Sequence, residues 1–223
     1  MLSTSSNSPE LGINGLSLQY PGSSKAILRD ISILLKAGDR LGISGPNASG
    51  KSSFIHALCG IIPCYTPASK QGNITFCGKP LQELPLCEIY HYMAVVLADA
   101  SAQLMFPSCE SEVAFALENM GMEPDEIRRR LDEAMALFKI SHLKRQAPHL
   151  MSGGEQRLLL FAVAEAMQSP IVVLDEPERG LSLSSIRLLE AWLELISVRN
   201  GILIMSTHKR ELMAMCEQRL ELP

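Results

Sequence analysis

A glycine-bounded octapeptide set between a short apolar run and a helical pattern constrains this chain more than any other feature. Gly45-Pro46-Asn47-Ala48-Ser49-Gly50-Lys51-Ser52 has the spacing GxxxxGK[ST]. It follows the apolar residues 40–44 and opens a helix expected over residues 51–58, which is the strand, loop and helix order a phosphate cradle requires. Gly45 and Gly50 allow backbone N–H groups to wrap phosphate oxygens, and a helix N-terminus adds a favourable dipole. Lys51 is then placed to bridge β- and γ-phosphates, and the Ser52 hydroxyl to ligate magnesium. Asn47, Ser49 and Ser53 complete the candidate phosphate-binding set.

A second chemical signal lies downstream. Ile171-Val172-Val173-Leu174 reads as a buried strand and ends in Asp175-Glu176, so two carboxylates fall at the carboxyl end of a strand, where α/β sheets bind ligands. Asp175 suits magnesium, directly or through water. Glu176 is positioned by sequence to polarise an attacking water as a general base. Residues 202–206 form another apolar strand, followed by Thr207-His208, which places His208 beside the same site and within reach of a γ-phosphate or that water. His56, His91, His142 and His149 lack such placement and read as structural or surface residues.

Around these motifs the patterning is that of a mixed α/β chain. Residues 13–20 and 27–35 alternate partly and are broken at Pro21, Gly22 and Gly38, which predicts an antiparallel entry sheet. A hairpin-like stretch at residues 72–78 precedes a strand at 93–97. Ser108 is expected to cap a helix that Glu110 and Glu112 open and Gly121 ends. Pro124, Asp125 and Glu126 open the next helix, with Ile127, Leu131, Met135 and Phe138 on one face and Arg128, Arg129 and Arg130 on its solvated side. A helix at residues 184–198 between the strands at 171–174 and 202–206 gives the βαβ order of a parallel sheet.

Composition excludes several classes. With 223 residues, 47% of them hydrophobic, the chain can bury one large core, with or without a subdomain, and disorder is not its dominant state. Twenty Lys and Arg against 24 Asp and Glu give a net charge of −4 and a pI near 5.8, which argues against a surface made to neutralise nucleic acid. Residues 1–10 are Ser-rich without a basic leader or apolar stretch, so the chain is expected in the cytosol. No apolar stretch reaches the roughly 18 residues that span a bilayer, so a membrane role requires a partner. The six cysteines show no CxxC spacing and read as small apolar filler, not a metal site.

Met151-Ser152-Gly153-Gly154-Glu155 combines a capping-box spacing with a helix expected to run to about residue 167, and that helix start can receive anionic phosphate. Ser152 lies 101 positions after Lys51 and 24 before Glu176. In this order of motifs the chain resembles the ATPase subunits of ABC transporters, whose LSGGQ signature is matched with Met151 for leucine and Glu155 for glutamine. The tract 93–122, with Gln103-Leu104-Met105-Phe106-Pro107 and the helix from Glu112 to Gly121, is similar to the energy-coupling-factor and cobalt, nickel or biotin importer branch, as is the helix over residues 125–137.

The resemblance implies an α/β P-loop NTPase core of ABC type with an N-terminal antiparallel β subdomain and a helical subdomain at residues 103–150, all within one domain over 1–223. It implies ATP and Mg2+ as cofactors, with ATP held between one chain's phosphate loop and the Ser152-Gly153-Gly154 of a second ABC ATPase subunit, the same or a related chain. Dimer closure would drive integral membrane transporter subunits from the cytoplasmic side of the cell membrane, where the chain sits peripherally, and the cargo would be a vitamin or transition-metal ion. An aromatic before the phosphate loop stacks on adenine in such proteins; Tyr20 occupies that place and equally suits a sheet tyrosine.

Three departures accompany the match. The family glutamine after the 93–97 strand falls at Ala98, which has no polar side-chain atom to reach magnesium or water, and Asp99 is the neighbouring candidate substitute. Ser182 stands where an aspartate is usual, and Arg157-Leu158 where many relatives carry Gln-Arg. Ala98 and Ser182 motivate an alternative, a slow or catalytically impaired clamp subunit in an unequal heterodimer. A chromosome-associated ATPase of the same superfamily is disfavoured, because the 101 positions between Lys51 and Ser152 leave no room for a long coiled coil.

Overall fold

Alternating burial along the first strand, interrupted once, sets up the entry sheet. The computed structural model describes residues 8–223, the side chains of 82, 86 and 87 excepted. Strand β1 (Glu10–Gln19) buries Leu11 and Ile13, then Leu16 and Leu18, so its inward phase slips by one residue. The slip is a bulge at Gly15, whose φ of 63° is readily adopted by glycine, and the register with the neighbouring strands shifts there. Antiparallel partners are β2 (Leu28–Lys36) and, beyond β3 (Arg40–Ser44), α1 (Lys51–Leu58) and the kinked α2 (Ile61–Cys64), β4 (Ser69–Phe76) with the short β5 (Lys79–Pro80). The order is β2-β1-β4-β5.

A second, parallel sheet carries the chemistry. It is assembled from β3, β6 (Met93–Val96, after α3, Leu86–Tyr92), β7 (Ile171–Asp175), β8 (Ile202–Ser206) and β9 (Gln218–Glu221) in the order β6-β7-β8-β3-β9. Every residue of β7 and β8 is buried, as expected of strands covered on both faces. Side chains of β7 alternate between two cores: Ile171 and Val173 join Phe54, Ile55 and the β1 leucines, whereas Val172 and Leu174 face the helices. The polar alternation of β9, at the sheet edge, was no sequence signal for a parallel strand.

Those helices are α4 (Cys109–Asn119), α5 (Pro124–Leu137), α6 (Gly153–Met167) and α7 (Leu183–Val198), with α8 (Arg210–Ala214) before β9. Ser108 caps α4 as expected, in a reciprocal box with Ser111. Trp192 of α7 packs edge-on against Phe138, with ring centroids 5.5 Å apart, and lies 5.3 Å from Phe161 of α6. The solvated reading of α5 needs one correction: Arg130 is not free in water. It donates to Glu126 at 2.6 Å and to the Ala166 carbonyl at 3.2 Å, closing the C-terminal end of α6 where orphan carbonyls favour a cation. Among the described residues no helix is long and apolar enough to cross a membrane.

Candidate functional site

Parallel pairing aligns the carboxyl ends of three strands, because Ser206 of β8 sits opposite both Ile43 of β3 and Asp175 of β7. The loop leaving β3 turns through three positive φ angles, at Gly45 (149°), Ala48 (64°) and Gly50 (103°), before α1 begins. Gly50 is the N-cap of α1 and contributes no side-chain cap, so the first turn's N–H groups face outward for an acceptor. Lys51 is nearly buried, and its ammonium donates to the Gly45 and Pro46 carbonyls at 2.8 and 2.9 Å. The Ser49 hydroxyl is buried without a hydrogen-bond partner among the described residues. Asn47 and Ser52 are exposed at the loop and in the first turn of α1. Tyr20, one residue past β1, reaches this turn, its hydroxyl 2.9 Å from Ser53 Oγ.

The acidic strand end is wired from β8. Asp175 is 1% exposed, and its Oδ1 accepts from Ser206 Oγ at 2.5 Å. Its Oδ2 is buried with no hydrogen-bond partner among the described residues. A buried carboxylate oxygen in that condition is costly unless a cation or donor meets it, so the residues present fit a hard cation such as magnesium. Glu176 holds a left-handed φ of 47°, rare for a residue with a Cβ, and is kept there by its N–H donating to the Ser206 carbonyl and hydroxyl. The turn aims its carboxylate toward His208, with Oε1 3.4 Å from Nε2. Glu178 in turn accepts from Thr207 Oγ1 at 2.6 Å and from the His208 N–H at 3.0 Å, fixing where His208 stands.

The phosphate loop, Asp175, Glu176 and His208 are thus brought to one end of one sheet. Ser152, Gly153 and Gly154 form a separate feature at the head of α6. Ser152 is its N-cap, and the expected box is complete: Ser152 Oγ accepts from the Glu155 N–H at 3.3 Å, while Glu155 Oε2 accepts from the Ser152 N–H at 2.9 Å. The Ser152 hydroxyl and N–H hold the Glu155 carboxyl below its ordinary value. A Cβ at Gly154 would come 3.1 Å from the Gly180 carbonyl, whereas one at Gly153 would meet nothing within 4 Å.

At the departures, Ala98 is held through its carbonyl, which accepts from Arg157. Asp99 is exposed and uses Oδ1 in a turn with Ser101, which holds its carboxyl below the ordinary value. Ser182 caps α7 by accepting from the Ser185 N–H. Sequence reasoning assigned no role to Ser206, Thr207 or Glu178, although Ser206 and Thr207 adjoin His208 in a polar step after an apolar strand, which is the signal they offered.

Comparison with known proteins bears on the family and the fold. The family model for the ABC transporter matches residues 28–179. The cobalt import ATP-binding protein CbiO of Rhodobacter capsulatus is 33% identical over 216 residues, covering 96% of this chain and 75% of that protein. The energy-coupling factor transporter ATP-binding protein EcfA1 of Methanospirillum hungatei is 32% identical over 196 residues, 87% of this chain and 69% of that one. Against other curated relatives, named as putative ABC transporter ATP-binding proteins, the chain spans 40% to 60% of their length. The solved structure of cbiO1 from Clostridium perfringens, part of the transporter complex cbiONQ, superposes with a TM-score of 0.79 at 26% identity, over 95% of this chain and 84% of that one. A P-loop core of mixed α/β build with an antiparallel entry sheet is therefore the fold, and this chain belongs to the ABC transporter family as an ATP-binding chain.

Proposed function

We propose that the chain binds MgATP and hydrolyses it as the motor subunit of a micronutrient importer, closing on a second ABC ATPase subunit, the same or a related chain. The observation that carries the hydrolytic part is the wiring of the β7 end: Asp175 and Glu176 are held by Ser206, and the strained turn at Glu176 aims its carboxylate at His208. In this reading Lys51 and the N–H groups at the head of α1 bind the phosphates, and Tyr20 and Ser53 stand where a base meets the loop. Ser52 and Asp175 would hold magnesium, which supplies charge neutralisation on the phosphates when bound. Glu176 takes the proton of the attacking water, and His208 orients it. Steady-state phosphate release by the purified chain, with Glu176→Gln as control, tests this: turnover abolished by that change supports hydrolysis here.

The dimer rests on the head of α6. Packing among the described residues does not require glycine at 153, which leaves open backbone beside an exposed Ser152 for a partner's phosphates. Residues 103–150 act as the helical subdomain. Between it and β6 lies a groove of about 590 Å³, lined by Tyr90, Met105, Phe106, Phe115 and Met120 among others, which we assign to integral membrane subunits at the cytoplasmic face. Exposed Met105 and Phe115 fit that assignment, as do relatives named for cobalt import and energy-coupling factors. Ala98 favours a second reading, a slow clamp in an unequal heterodimer, for which phosphate release would remain near background in the unaltered chain.

A further inference from the structure

Arg157 is a buried charge that reaches into the site from α6. Arg157, in the second turn of α6, is 3% exposed. Its Nη1 donates to the Leu97 carbonyl at 2.9 Å, and its Nη2 to the Ala98 carbonyl at 2.5 Å. Nη1 also lies 3.5 Å from the Asp175 carbonyl. One planar fork therefore touches the loop leaving β6 and the last residue of β7 while belonging to the helix that Ser152 heads.

Burying a guanidinium costs several kcal/mol before its hydrogen bonds offset it, so an apolar filler would serve better if packing were the whole role. Burial, and then like charge on Arg179, hold this group below the ordinary arginine value, with Asp175, Glu178 and Glu176 opposing them. The loop it grips has no polar side chain at position 98. Its other restraints are local: Gln103 Oε1 accepts from the Leu97 N–H at 2.7 Å and Nε2 donates to the Val95 carbonyl at 3.1 Å, while Asp99 forms its turn with Ser101. Among these, Arg157 alone connects the loop to another element of the site.

We propose that Arg157 is a positioning residue for the nucleotide reaction, locking the loop after β6, the carboxylate end of β7 and the helix headed by Ser152 into one unit. A shift of the α6 head on meeting a partner's nucleotide is then passed through one side chain to Asp175 and Glu176. The backbone at Ala98 takes its position from α6, not from a side chain of its own. This inference rests on the proposed hydrolysis, so its test includes a readout that needs no turnover.

Amide hydrogen exchange is followed in the nucleotide-free chain, together with ATP turnover, for Arg157→Met and Arg157→Lys. Exchange at residues 97–102 should rise about tenfold or more in Arg157→Met, the loss expected for hydrogen bonds from a charged group, while α4 stays protected. Lysine, a point charge without the fork, should give an intermediate value. The maximal turnover rate should fall about tenfold in Arg157→Met with the KM for ATP within about twofold, and lysine should restore part of it. Unaltered protection of residues 97–102 in either variant, or an effect confined to KM, overturns the proposal. If Arg157→Met does not fold, Arg157→Lys decides on exchange alone. If the unaltered chain shows no turnover, the hydrolytic reading fails while the exchange result still judges the lock.

Discussion

The end of β7 and the head of α6 are both polar features flanked by apolar core, yet they are finished differently. At the strand end Asp175 and Ser206 are buried, Ser206 serves two neighbours, and the oxygen left over, Asp175 Oδ2, is buried with no hydrogen-bond partner among the described residues. At the helix head Ser152 and Gly153 are exposed, and the cap closes on Glu155 of the same helix. The first is built by long-range contacts: the Glu176 turn is held by Ser206 of the paired strand β8. The second is local, ready as soon as α6 forms, and a Cβ at its open Gly153 would meet no neighbour within 4 Å among the described residues. Under the proposed function the two belong to one ATP site only across a pair of chains.

Changes at the strand end should therefore hit chemistry or stability, and changes at the helix head should leave the isolated chain nearly intact. The largest effect is expected for Glu176→Gln, with phosphate release down by about a hundredfold or more, as for loss of a general base, and nucleotide binding retained. A binding loss in its place would move Glu176 from chemistry to structure. Lys51→Met removes the charged donor over the loop and should weaken ATP binding about 10- to 100-fold by titration with a fluorescent nucleotide.

Ser206→Ala leaves buried Asp175 Oδ1 and the Glu176 N–H each without one partner and should lower stability by about 1–3 kcal/mol in denaturant unfolding. A cost within error would mean that water replaces the hydroxyl and the strand end is wetter than its burial indicates. The smallest effect belongs to Glu155→Ala. Because the folded Glu155 carboxyl lies below its ordinary value of 4.5, its stabilisation is present above that pH and is lost as pH falls through and below it. The melting temperatures of the two proteins should differ slightly near neutrality and converge in acid. A gap that widens in acid would contradict the cap.

Local chemistry was legible in the sequence wherever a motif carries its own backbone requirement. The phosphate loop, the Ser108 cap, the box at Ser152 and the buried runs of β7 and β8 depend on neighbours within a few positions, and each stands where the patterning placed it. What escaped was long-range. The 30-residue reach from Glu176 to Ser206 is invisible to any local window, as is the reach from Arg157 to Leu97 across 60 positions. Arg130 reads as solvated because its helix face is charged, and only the end of α6 packed beside it reveals its backbone partner. Likewise the sequence shows what Ala98 lacks, but only the fold shows that its backbone is held by another element.

Mixing two inactive proteins tests the shared seam most directly. Lys51→Met spoils the phosphate loop and Ser152→Arg spoils the helix head, so each alone should release almost no phosphate. If the site spans two copies, a mixed pair holds one intact combination, and an equimolar mixture should recover roughly a quarter of the unaltered turnover by random pairing in a two-fold dimer. A mixture as silent as its parts, or a Ser152→Arg chain that turns over normally by itself, would contradict the account.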